Sequence, residues 1–304
     1  MSPRRPDADV PPGLLVVDKQ PGMTSHDVVA RARRALSVRK VGHAGTLDPM
    51  ATGVLVLGVG AATRLLGHLA GNDKAYAATV RFGQTTVTDD REGEVLTTTP
   101  AGALTDEQVR AALAQQTGPL QQVPSAVSAV KVGGVRSYDR VRAGEQVELA
   151  PRPVTVHSLA VLDVRRPTAD LVDADVEVVC STGTYIRAVA RDAGAALGVG
   201  GHLTALRRTR SGPFDQAAAR PVEDAAAALL AGAGAGFVPL TAAATAVFPE
   251  RPVSAEEAVD LGHGKRVAAT GAPGLHAAVD PTGRLVALVE DTGRTARVSV
   301  GFPA

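Results

Sequence analysis

A chain of 304 residues, 45% of them apolar but only 3% aromatic, can bury one large aliphatic core and a smaller one beside it. Its 32 basic and 31 acidic side chains leave a net charge of +1, which excludes a polybasic, histone-like protein while permitting a local basic face. The single cysteine, Cys180, excludes a disulfide framework, a Cys-rich zinc site and a CxxC redox pair.

Residues 1–12 mix Pro with both charge signs and read as a disordered tail, not a secretory signal. The apolar run Leu14–Val17, ended by Asp18-Lys19 and Pro21-Gly22, predicts a buried strand and a turn. Thr24 with Asp27 predicts a capping box for a helix running to about Ser37. A glycine-punctuated loop, 41–53, leads into the strand Val54–Leu57, and Thr63–Leu69 reads as helical. Tyr76, Ala78, Val80 and Phe82 alternate along one face of a strand from Ala75. Thr105 and Gln108 cap a further helix that Gly118 ends. Residues 131–150, glycine-rich and poor in large apolar groups, read as a protruding hairpin or loop. Val154–Val164 and Leu171–Cys180 are strand-like, Ser181-Thr182-Gly183 turns the chain into a helix near Thr184, and Leu203–Thr209 reads as another strand.

The uncharged stretch Ala225–Pro249 exceeds the spanning length, but its Ala, Gly and Thr and the interrupting Pro239 argue for a helix end and a flexible connection. Ser254 and Glu257 cap a short helix, and Asp280-Pro281-Thr282-Gly283 forms a hairpin turn, so the chain from about 248 onward reads as a separate small β-rich domain. Strands and helices alternate without regular βαβ spacing, which predicts an α+β fold around a mixed sheet.

Cofactor motifs are missing. Gly58-Val59-Gly60 lacks the third glycine of a dinucleotide fingerprint, Val59 stands where a P-loop needs lysine, and no two histidines sit at i, i+4 for a metal. No G-x-S-x-G elbow marks a serine hydrolase. An enzyme without metal or cofactor, or a binding protein, remains.

One segment carries chemistry on physical grounds alone: Gly42-His43-Ala44-Gly45-Thr46-Leu47-Asp48-Pro49-Met50-Ala51-Thr52-Gly53. Its glycines permit close backbone approach, Pro49 biases Asp48 out of the helical region, and the apolar strand behind it anchors the loop. A carboxylate so braced suits a preorganised nucleophile, although an ordinary Asp-Pro turn has the same composition.

Gly42–Leu55 resembles the signature of the TruB family of tRNA pseudouridine synthases. Further blocks match in order: Asp18-Lys19 with Pro21-Gly22 and Ser25; Asp73-Lys74-Ala75-Tyr76; Pro124-Ser125 with Ser128–Lys131; Cys180–Arg187; and Leu206-Arg207-Arg208. Gln20 intrudes between Lys19 and Pro21, and the C-terminal part is short for the family's PUA domain. The resemblance implies a pseudouridine synthase fold, a mostly antiparallel mixed sheet flanked by helices. Residues 13–240 would form the catalytic domain, 131–150 an RNA-gripping insertion, and 248–304 a small PUA-like domain.

The implied reaction converts uridine-55 of the tRNA T loop to pseudouridine without a cofactor. The N-glycosidic bond breaks, the base turns over, and C5 joins C1′. Asp48 matches the catalytic Asp, as attacker of C1′ or as base at C2′, because a carboxylate can capture or stabilise the charge that develops on the sugar. Arg187 matches its cationic partner. Tyr76 matches the residue that stacks on the everted uracil and is a candidate for removing the C5 proton; Tyr185 matches a hydrogen-bonding pocket residue. His43, Leu206 and Lys19 match residues contacting the flipped region, walling the pocket, and supporting the loop or a phosphate. Arg207, Arg208, Lys131, Arg136 and Arg140 are expected to meet the RNA backbone. The implied partner is the T arm of tRNA, bound by a cytoplasmic monomer without a guide RNA, membrane or obligate protein partner. A guide-dependent modifier and a catalytically vestigial RNA-binding protein are the competing readings.

Overall fold

The computed structural model describes residues 10–125, 131–132, 135–136 and 149–302, so most of the tail and of the expected insertion lies outside the described residues. In chain order come β1 (Gly13–Lys19), α1 (Ser25–Leu36), β2 (Val41–Ala44) and β3 (Thr52–Val59). A 3-10 turn (Gly60–Leu65) and α2 (Leu66–Ala70) lead to β4 (Lys74–Phe82), the pair β5 (Gln84–Thr86) and β6 (Val95–Thr98), α3 (Asp106–Ala114) and β7 (Gly118–Gln122). The short strands β8 (Lys131–Val132) and β9 (Val135–Arg136) pair with each other. The long β10 (Arg152–Thr168) and β11 (Leu171–Cys180), α4 (Ile186–Ala196), β12 (Gly201–Ser211) and β13 (Phe214–Asp215) follow. Next are α5 (Val222–Leu230), β14 (Phe237–Pro239) and α6 (Leu240–Thr245). The C-terminal part holds β15 (Glu250–Pro252), α7 (Ala255–Gly262), β16 (Val267–Ala268), β17 (Leu275–Val279), β18 (Leu285–Thr292) and β19 (Thr295–Gly301).

The main sheet runs β14-β1-β3-β12-β4-β11-β10-β7, with β2 added to β3 and β13 to β12. All its pairings are antiparallel except β3 with β12. The apolar runs of β1 and β3 lack alternation because both their faces are covered. Leu15, Val17, Leu55 and Leu57 pack with Val28, Leu36 and Leu229 of α1 and α5, while Leu14, Val16, Val54 and Val56 face the other way. On that second side they share a core with Leu285, Leu288 and Phe302. β4, open on one side, shows the alternation expected of it.

Several local expectations hold in detail. The boxes of Thr24 with Asp27, Thr105 with Gln108 and Ser254 with Glu257 all form. Others are corrected. Val41–Ala44 pairs with β3 and leaves only 45–51 as loop, since the ladder satisfies backbone groups that a buried loop would strand. The second capped helix ends at Ala114, before Gly118, which opens β7, and the helix expected near Thr184 begins at Ile186. The expected flexible connection within 225–249 is ordered: β14 completes the sheet edge beside β1, and α6 buries Ala243 and Ala244. Among the described residues no helix is long and apolar enough to cross a membrane. The C-terminal β-rich part forms its own five-stranded sheet, β15-β17-β18-β19-β16, whose apolar face shares a core with β1 and β3.

Candidate active site

The loop 45–51 is held from four sides. Lys19, 1% exposed, donates its ammonium protons to the carbonyls of Gln20 (3.1 Å), Pro49 (3.1 Å) and Ala51 (2.5 Å). The Ser25 hydroxyl donates to Leu47 O (3.2 Å) and accepts from Leu47 N (2.9 Å), and Gly22 N donates to Pro49 O (2.9 Å). Arg208, also 1% exposed, donates to Gly45 O (3.1 Å), Thr46 O (3.4 Å) and Val54 O (2.7 Å). Leu47, Met50 and Ala51 are buried beneath. The residues 18–25 therefore brace the loop of the carboxylate. Gly53 is obligatory here: its φ is +96°, and a Cβ would lie 2.2 Å from Arg208 O, where β3 and β12 approach in parallel.

So fixed, Asp48 meets Arg187, with Nε to Oδ2 at 3.0 Å. The Asp48 side chain is 34% exposed and the Arg187 side chain only 4%, so the carboxylate opens to the pocket while its counterion is sealed behind it. Arg187 also donates from Nη1 to Thr88 O (2.8 Å) and pairs with Asp90 at 3.5 Å. Burial pushes the Asp48 carboxyl above the usual carboxylate range; Arg187 opposes that shift and Asp90 adds to it. Arg187 stands in the first turn of α4, where a cation opposes the helix dipole and no acidic residue accompanies it. Its place there is explained by the two carboxylates, not by helix stability.

The ends of several elements close a pocket of about 270 Å³ around Asp48, at the lower limit of ordinary small-molecule sites. Its walls include Lys74, Tyr76, Tyr185, Arg187, Leu206 and Arg208. Tyr76, from β4, is 8% exposed; burial raises its phenol and the Arg208 guanidinium pulls it down, with a net rise that disfavours a phenolate base. Tyr185 is the N-cap of α4 and has no side-chain cap bond. The buried Gln122 amide substitutes, accepting from Tyr185 N (2.7 Å) and donating to Tyr185 O (3.1 Å).

Other expected residues stand elsewhere. His43 is on β2 with its ring edge-on to His26, 5.4 Å between centroids, outside the pocket lining. Lys19 also lies outside that lining and donates to carbonyls of the loop. Arg207 and Arg208 were expected to meet the RNA backbone; the structure puts them on opposite faces of β12, with Arg208 buried and Arg207 partly exposed. Adjacent strand residues point to opposite faces, so Arg208 goes inward to backbone carbonyls while Arg207 makes two hydrogen bonds with Asp18 (2.9 and 3.1 Å). Lys131 and Arg136 occupy paired positions of β8 and β9, and Arg140 lies outside the described residues. Sequence reading missed Asp90, 3% exposed within the polar run Thr88–Glu94, which carries no hydrophobic signal for burial, and it missed Gln122. The period of β12 could have revealed Arg208. Among the described residues no cluster of His, Cys, Asp or Glu could hold a metal.

The arrangement offers a carboxylate backed by a fixed guanidinium, next to a flat aromatic ring and an apolar wall, in one small pocket. Residues 33–186 match the family model of the TruB family pseudouridylate synthase N-terminal domain. Residues 187–234 match the tRNA pseudouridylate synthase B C-terminal domain, and 248–303 the tRNA pseudouridine synthase II C-terminal model. The chain is 58% identical over 284 residues to the tRNA pseudouridine synthase B of Nocardia farcinica, covering 93% of this chain and 91% of that protein. It is 55% identical over 285 residues to the protein of the same name from Rhodococcus jostii, covering 93% and 92%. Among solved structures, a Cbf5-Nop10-Gar1 complex (TM-score 0.72, 26% identity, 98% of this chain and 88% of that one) shares the fold. An H/ACA RNP bound to a substrate RNA containing 2′-deoxyuridine does so as well (TM-score 0.72, 24%, 99% and 88%).

Proposed function

The chain belongs to the TruB family of pseudouridylate synthases, and from that premise we propose that it isomerises uridine-55 in the T loop of tRNA to pseudouridine, with Asp48 acting on the ribose. The observation that carries this reading is the Asp48–Arg187 ion pair at 3.0 Å, opening on a pocket lined by Tyr76, Tyr185 and Leu206. Breaking the C1′–N1 bond builds positive charge on the sugar, and an ionised carboxylate at that place stabilises it. The carboxylate either bonds to C1′ or removes the C2′ proton; both routes need it charged, which Arg187 favours against burial.

The target base is stacked in folded tRNA and must be everted, at a cost of about a few kcal/mol. Tyr76 offers a flat ring on which the base can stack, and Leu206 an apolar wall of the same pocket. The names of the relatives above 50% identity support tRNA as the substrate, and our proposal includes that the enzyme acts on it alone and in the cytoplasm. The test is incubation of the purified protein with an unmodified tRNA transcript and with its isolated T-arm stem-loop, followed by mapping of pseudouridine. Pseudouridine at position 55 in both is the expected result; its absence from both, or its formation elsewhere, refutes the reading.

A further inference from the structure

β4 begins at Lys74, and the strand period puts Lys74 on the same face as Tyr76. Both side chains line the pocket of Asp48 and Arg187. Lys74 is 6% exposed, and its ammonium donates to Ala70 O (2.8 Å) and Asn72 O (2.5 Å), leaving a third N–H for the pocket. Among the described residues no carboxylate forms an ion pair with it. Asp73, its neighbour in sequence, pairs with His157 at 3.2 Å. Cys180, its register partner on β11, is neutral, because burial pushes that thiol up to about 11. On its other side, β12 contributes Arg208, a second buried cation bonded to backbone carbonyls. Burial and the nearby guanidinium bring the Lys74 ammonium down to about 8.

A buried cation without a counterion is costly, and two lining one pocket make that pocket a site for negative charge. Uridine is neutral. We propose, building on the reading of the previous subsection, that Lys74 is a catalytic residue whose ammonium holds the uracil anion formed when the glycosidic bond breaks. Heterolysis leaves the C1′–N1 electron pair on the base, spread over N1, O2 and O4. Asp48 balances the sugar by bonding to C1′ or by taking the C2′ proton. C5 then bonds to C1′ as the Asp48–C1′ bond breaks or, on the other route, as Asp48 returns its proton to C2′; the C5 proton is lost and N1 gains one, so the isomerisation closes with no atom added. A fixed charge that meets the anion only as it develops favours the transition state over the bound substrate. It also retains the detached base while it turns.

The experiment compares wild type, Lys74→Met and Lys74→Arg in single-turnover reactions on T-arm stem-loops carrying uridine, followed by pseudouridine formation, or 5-fluorouridine, which has no C5 proton to lose and is followed by disappearance of the starting nucleoside. Fluorine withdraws electrons and stabilises the base anion, so that substrate needs less help from a cation. Lys74→Met is expected to lose roughly 10²-fold in rate on uridine, the scale for removing one oxyanion donor, but less than tenfold on 5-fluorouridine. Lys74→Arg should recover most of the loss, and stem-loop affinity should stay within about twofold throughout. Equal losses on the two substrates would reduce Lys74 to a brace for the 70–72 turn and overturn the proposal. A loss carried by weaker, less salt-dependent binding would also overturn it, by making Lys74 a phosphate contact. Failure of the wild type on uridine would instead refute the underlying function.

Discussion

Replacing Arg208 by Met removes a guanidinium from the centre of the sheet and tests whether this residue belongs to the core or to the RNA. Three hydrogen bonds disappear, to Val54 O at 2.7 Å, Gly45 O at 3.1 Å and Thr46 O at 3.4 Å. Charge-assisted bonds contribute about 1.5–3 kcal/mol each, and relief of the buried charge offsets part of their loss. The net cost is about 3–5 kcal/mol, a large share of the roughly 5–15 kcal/mol that holds a domain folded. Arg207, 38% exposed and paired with Asp18 on the opposite face, is worth under about 1 kcal/mol. Urea titration followed by circular dichroism should show a clear loss of stability for Arg208→Met and almost none for Arg207→Ala. The folded Arg208 variant should bind tRNA with an unchanged salt slope. Unchanged stability with a flattened slope would return Arg208 to the RNA interface and refute the reasoning.

Asp48→Asn should abolish pseudouridine formation while leaving tRNA affinity within about threefold, read by filter binding. Because burial raises the folded carboxyl above its unfolded value, ionised Asp48 opposes folding, a cost absent below about pH 4 and complete above the raised value. The melting temperature of Asp48→Asn relative to wild type should therefore climb as pH rises from 4 to 8. Asp90→Asn removes a negative charge that raises Asp48, so the acid limb of the pH–rate profile should move to lower pH. The maximal rate should also fall, because Arg187 loses one of its two carboxylates. Tyr76→Phe should stay within about tenfold of wild type in single-turnover rate, since its raised phenol is not the base, whereas Tyr76→Leu should lose far more with the flat ring.

Local interactions were legible without the fold. The three capping boxes, the alternation of Tyr76 to Phe82 and the hairpin turn at Asp280–Gly283 depend on residues two to four positions apart, and they appear as read. The carboxylate loop was legible too, because its glycines and Pro49 restrict the backbone whatever surrounds them. Where local signals were weak, tertiary packing prevailed. The Ala/Gly stretch before Phe237 looks unstructured in isolation, yet β14 gains a ladder with β1.

The amino-acid sequence by itself determined the capped helices, the restricted backbone around Asp48 and the ordered motifs that mark the family, since each rests on residues close together in the chain. Only the tertiary structure decided which charges are buried together. Asp48 and Arg187 lie far apart along the chain, Asp90 enters from a polar turn, and Lys74 and Arg208 converge from two paired strands. A charged side chain looks the same in a sequence whether it faces water or a pocket, because the solvation energy that separates the two cases exists only once the chain has packed around it.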